Sequence, residues 1–190
     1  MPHSPSSLPP AQEPPLPPHS SPSPPAEPNR APEQLNTAEP GAAEAVLLTC
    51  CGSHAWARRL VAHRPYPDLD ALLAASDEAA YDLPPADLAE ALACEPLRPA
   101  LPRQGTYSAA HTALRAAHAA YESRFGHVFV ICLDDVPPGE ALDHLLAGIR
   151  ARLANDPDEE RVLAAEEMRK LARGRLTRLV HDLNSPYVPV

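Results

Sequence analysis

From Leu35 onward, apolar residues recur at three- and four-residue spacing in stretches that end at prolines or glycines. That spacing predicts helices rather than strands. Thr37 is placed to cap a first helix through residue 48. Ser53 caps a second, with Trp56, Leu60 and Val61 as its apolar stripe. Arg64-Pro65-Tyr66-Pro67 ends that helix, and Asp68 caps a third through Leu72, Leu73 and Ala80. Pro84-Pro85 opens a fourth over 86–93, where proline suits the first turn. Residues 95–106 read as a loop. Ser108 then caps a longer helix to Phe125, with Gly126 at the position after its end. The apolar run 127–133 is either a strand or buried extended chain, because periodicity does not separate the two. Two further helices span 139–154 and 157–182, the last capped by Asn155 or Asp156. Its first turn is acidic (Asp158, Glu159, Glu160) and its later turns are basic, in keeping with the helix dipole. The pattern predicts an all-α, single multi-helix domain of about seven helices over 35–183.

Composition changes the picture at the ends. Fourteen of the 26 prolines lie in residues 1–40, mixed with Ser, Ala and Glu. Residues 1–34 therefore read as a disordered proline-rich tail with polyproline-II character. Residues 184–190 read as a C-terminal tail. The formal net charge is −9 and there is no basic run, which argues against nucleic acid as a partner. No apolar stretch reaches the length of a membrane span, and residues 1–29 lack the basic start and apolar block of a secretory signal. A cytoplasmic protein with free thiols is expected. Cys50, Cys51, Cys94 and Cys132 form no C-x-x-C, and adjacent cysteines strain a disulfide.

Three positions carry candidate chemistry. Arg175 stands four residues from both Leu171 and Leu179, inside the apolar stripe of the last helix. A guanidinium there bridges to a buried carboxylate, snorkels to water at the stripe's edge, or holds an anionic ligand. His111 and His118 lie on the rim of the stripe formed by Ala110, Leu114, Ala117, Tyr121 and Phe125. They are either boundary histidines or acid/base groups. His111 lies in the first helical turn, where the dipole favours a neutral, base-competent imidazole. Glu95 follows a helix end and precedes Pro96. It is either a solvated loop residue or the proton-bearing partner of a histidine.

A series of motifs resembles the OHCU decarboxylases of urate breakdown, where OHCU is 2-oxo-4-hydroxy-4-carboxy-5-ureidoimidazoline. They are Leu35-Asn36, Cys50-Cys51-Gly52-Ser53-x-x-Trp56, Arg64-Pro65-Tyr66 and Asp87-Leu88-Ala89-Glu90-Ala91. Tyr121-x-x-Arg124-Phe125-Gly126, Arg152-Leu153-x-Asn155, Glu160 and Arg175-Leu176 follow, so that the resemblance covers about residues 35–181. It implies an all-α, cofactor-free, often dimeric enzyme of purine catabolism that decarboxylates OHCU and protonates the product to (S)-allantoin. The runner-up is a non-catalytic homologue that binds a small ureido or purine-like anion. By resemblance, Arg175 matches the substrate-contacting arginine, and Ile131 and Cys132 match a segment whose backbone lines the pocket. The family's His-Pro-x-Ile-Gly stands here as Glu95-Pro96-Leu97-Arg98-Pro99, which places Glu95 at the catalytic histidine position. The family's Ser-x-x-Glu-Gln stands here as Ser108-Ala109-Ala110-His111-Thr112, so His and Glu exchange places. In a second register, 108–120 matches only a later helix, Ser-x-x-Glu-Gln is missing, and His118 replaces an asparagine. The first register implies Glu95 and His111 as catalytic residues, with Pro96, Ser108, Thr112, Ile131, Cys132 and Arg175 binding substrate.

Overall fold

The structure, a computed structural model, describes residues 31–96 and 108–184. Residues 1–30 of the expected tail, 97–107 of the expected loop and 185–190 lie outside the described residues. Among the described residues there are eight helices: α1 Glu33–Thr37, α2 Pro40–Leu48, α3 His54–Ala62, α4 Leu69–Tyr81, α5 Pro85–Ala93, α6 Ser108–Phe125, α7 Ala141–Arg152 and α8 Pro157–Asn184.

Local chemistry sets most of these boundaries. Ser53 Oγ accepts from the Trp56 N–H at 3.3 Å, and Asp68 Oδ1 accepts from Ala71 N–H at 2.8 Å. Asp156 Oδ1 takes the N–H groups of Asp158 and Glu159, both at 2.9 Å, and so starts α8. Gly126 ends α6 at φ 75°, a backbone conformation that costs glycine little. The first helix differs from expectation. Thr37 ends α1, with its hydroxyl donating back to the Glu33 carbonyl. The cap of α2 is Glu39, whose carboxylate receives Gly41 N–H and Ala42 N–H ahead of Pro40 at the first turn. Helix α1 begins two residues before the expected domain start and is held from outside. Asn36 and Tyr66 exchange two 2.9 Å hydrogen bonds, and Arg64 Nη1 donates to the carbonyls of Leu35 and Ala38.

Helix α8 is the spine: α1, α4 and α5 pack on it, α3 joins α2 to α4, and α7 pairs with α6. The larger apolar cluster is built from α1–α5 and α8, around Trp56, Leu47, Leu60, Leu72 and Leu176. Trp56 is fully buried and donates its indole N–H to the Ser76 carbonyl. A smaller cluster joins α6 and α7 through Leu114, Tyr121, Leu145 and Ile149. The 128–131 segment is extended chain without strand pairing and lies between the two clusters. Val128 and Val130 face the larger cluster, while Phe129 and Ile131 face the smaller. This two-residue alternation settles the ambiguity of the apolar run.

The turn between α2 and α3 is pressed against the end of α5. A methyl group at Gly52 would overlap the Cys94 side chain. Gly52→Ala is therefore expected to cost about 1–3 kcal/mol in urea unfolding, the usual penalty of overpacking. An unchanged midpoint would mean that the 94–96 segment yields freely.

Candidate functional site

Glu95 and Arg175 meet although 80 residues separate them. The guanidinium donates from Nη1 to Glu95 Oε1 at 2.6 Å and from Nη2 to Oε2 at 2.7 Å, and Nη1 also donates to the Cys50 carbonyl at 3.1 Å. Three local features create this meeting. The stripe of α8 turns Arg175 inward, the end of α5 delivers Glu95, and the close approach at Gly52 brings the Cys50 carbonyl to the same place. The Glu95 side chain is 6% exposed and that of Arg175 is 27% exposed. Glu95 is therefore no solvated loop residue, and Arg175 is paired rather than snorkelling alone.

The bidentate hydrogen bonds from Glu95 raise the Arg175 pKa, against the opposing effect of burial. Burial pushes the neighbouring thiols up, Cys51 to about 11, so both Cys50 and Cys51 are neutral near pH 7. Glu95 takes the end-on edge of the guanidinium. Among the described residues, the other edge, made by Nε–H and the second Nη2 hydrogen, has no protein partner. That edge is a second fork of the right shape for a carboxylate.

The remaining candidates are spread around this pair. Pro96 follows Glu95 and is exposed. Ser108 and His111 fall in the first turn of α6, and their side chains lie outside the described residues, so the Glu–His couple is not placed. Thr112 is exposed on α6. Ile131 packs into the smaller cluster beside Gly148. The Cys132 N–H donates to Glu167 at 2.7 Å, two turns before Arg175 on α8 and so roughly 12 Å along the helix axis. His118 differs from its expected place on the rim. It is buried, with its ring edge-on to Phe129 at 6.0 Å, because Phe129 folds across that face of α6.

Sequence reasoning missed two features beside the site. Glu167 occupies the Cys132 N–H, and its signal was the i, i+4 row Glu167, Leu171, Arg175 on a single face of α8. Asp134 lies against Gly174, where a side chain would collide with its carboxylate, and pairs with Arg178 at 3.1 Å. No sequence spacing marked it.

A cavity of about 390 Å³ lies elsewhere, between α5, the Gly126 turn and the start of α8. Leu88, Leu92, Phe125 and Val128 make it largely apolar, with Arg161 on its wall. Neither Glu95 nor Arg175 lines it, so its size does not make it the site of anion chemistry. Among the described residues, no three His, Cys, Asp or Glu side chains gather as a metal-binding group.

A family model described as OHCU decarboxylase matches residues 36–97 and 100–177. The fold is similar to a crystal structure of an OHCU decarboxylase in the presence of (S)-allantoin. That match has a TM-score of 0.62 at 22% sequence identity and covers 76% of this chain and 100% of the other. It is also similar to a crystal structure of an (S)-allantoin synthase, with a TM-score of 0.62 at 18% identity over 79% of this chain and 53% of that one. A search of curated proteins gives no match.

Proposed function

The chain belongs to the OHCU decarboxylase family, and we propose that it removes CO2 from OHCU and protonates the product to (S)-allantoin. The observation that carries this reading is the half-buried Arg175, held in place by Glu95 and Cys50 with one fork uncommitted among the described residues.

The chemistry needs little beyond position and one proton. When the carboxylate leaves as CO2, its electron pair is absorbed by the adjoining imine and carbonyl of the ring. The protein holds that carboxylate, excludes water and delivers a proton to one face. Arg175 takes the carboxylate on its open fork. Glu95 and His111 manage the proton. The Ser108 hydroxyl and the N-terminus of α6 orient polar atoms of the ring. Pro96 and Thr112 contact the ring, and the Ile131–Cys132 backbone forms the floor. The Cys132 N–H already serves Glu167, so it reaches substrate only if Glu167 turns away. No helix among the described residues is long and apolar enough to cross a membrane. A cytoplasmic homodimer accords with the free cysteines and with the family's habit.

The test is to generate OHCU from urate in situ and follow its optical activity by circular dichroism. The wild-type protein is expected to speed the decay and leave (S)-allantoin. Arg175→Ala is expected to raise KM at least tenfold. Racemic allantoin at the uncatalysed rate with wild-type protein refutes the reading.

A further inference from the structure

We propose that a carboxylate binding at Arg175 brings one solvent proton with it, that Glu95 carries this proton, and that it is the one later delivered to the substrate carbon. This rests on the decarboxylase reading above for the last step only; the proton-linked binding stands on the geometry of the pair.

Glu95 already neutralises Arg175 through both of its oxygens. An incoming carboxylate on the Nε–Nη2 edge would leave two negative groups sharing one guanidinium. At 6% exposure, Glu95 is poorly screened by water. Two carboxylates competing for one cation hold a proton between them, as coupled acids do. Among the described residues, no further cation touches the pair to compensate. From the α2–α3 turn, the groups facing the pair are the neutral thiols of Cys50 and Cys51. From α8, Arg178 is the next cation, and it is engaged by Asp134. On its own segment Glu95 is preceded by Cys94 and followed by Pro96. Among these described groups, Arg175 is the single cation in direct contact with Glu95.

The steps balance. On binding, the ionised Glu95 takes one proton from solvent, keeps one oxygen on Arg175 and turns its O–H to the ligand. In turnover the bond from ring carbon to carboxylate breaks and CO2 leaves. The electron pair stays with the ring, and the Glu95 proton forms the new bond to carbon. Glu95 is again ionised, and Arg175, free of its ligand, is again held by both Glu95 oxygens. One proton enters and one appears in the product, with no oxidant or reductant.

The experiment uses the full chain and hydantoin-5-acetate, a stable ring-bearing carboxylate. Calorimetric titration at pH 7.5 in Tris and in HEPES, whose ionisation enthalpies differ, counts the protons. Wild-type protein is expected to take up about one proton per ligand, and its Kd to rise about hundredfold from pH 6.5 to 8.5. Glu95→Gln is expected to take up none, to show a flat profile and to bind at least tenfold tighter at pH 8.5. No proton uptake by wild type, uptake that persists in the Gln variant, or no binding to either protein overturns the proposal. The wild-type proton count stands even if the variant fails to fold. Accelerated OHCU decay without proton uptake would sink this inference alone. Proton-linked binding without accelerated decay would sink the decarboxylase reading, and with it the delivery step, while the linked binding stands.

Discussion

Glu160→Gln is expected to lower the free energy of unfolding by about 3–5 kcal/mol, the usual cost of leaving one member of a buried ion pair alone. Glu160 is fully buried at the start of α8. Its Oε1 receives Arg152 Nε at 2.8 Å and Nη2 at 2.5 Å, together with the Tyr121 hydroxyl, and its Oε2 receives Asn155 Nδ2 at 2.9 Å. The same guanidinium lies over the Phe129 ring at 4.6 Å and donates to the Val130 carbonyl at 2.6 Å. An unpaired extended segment needs partners for its backbone, and Arg152 supplies one. Burial, and then the bond to Glu160, push the Tyr121 pKa well up, so the phenol remains a donor at every working pH. Glutamine removes the charge and turns one acceptor into a donor facing donors. Urea unfolding and a fall in Tm of roughly 6–20 °C would report the loss. Arg152→Met combined with Glu160→Leu should lose less than the single change. A single-mutant loss below about 1 kcal/mol would mean that water reaches the cluster.

The second large effect is on turnover. Glu95→Gln is expected to cut kcat for OHCU by about 10²–10⁴-fold, the range for removing a positioned proton carrier. Its melting temperature should change little, because the side chain keeps its shape and Arg175 is partly exposed to water. The variant separates two roles of one carboxylate. If Glu95 only propped up Arg175, KM would rise and kcat would hold. If it moves the proton, kcat falls while the ligand binds at least as well. A normal kcat would strip Glu95 of that role.

What the sequence revealed was local. Ser53, Asp68 and Gly126 act within one turn of themselves, so their types and positions announced the starts and ends they make. The inward turn of Arg175 followed from its row with Leu171 and Leu179. What faces it did not, because the contact with Glu95 spans most of the domain and depends on how the α5 end docks beside Gly52. Glu160 was misleading for a similar reason. An acidic first turn is good dipole chemistry in water, so nothing in its neighbours distinguishes a fully buried Glu160 from the exposed Asp158 and Glu159. The reason lies in α6 and α7, which bring Tyr121 and Arg152 to it. His118 reads as a rim residue on its own helix and becomes interior only when Phe129 crosses over. Helix α1, a five-residue helix lying between Pro32 and Pro40, is too short to declare itself and depends on Arg64 and Tyr66 for its place.

Because α8 is an unbroken run of 28 residues, it also acts as a ruler. Glu160 near its beginning and Arg175 towards its end are set roughly 22 Å apart and at a fixed angle about one axle. A residue added between them would lengthen that ruler by only about 1.5 Å but wheel everything downstream by about 100°. The guanidinium would then swing out of register with Glu95 while the Tyr121 knot stayed where it is. Added length in the connections around such a rod leaves that spacing untouched, whereas a change in the count of residues within it does not.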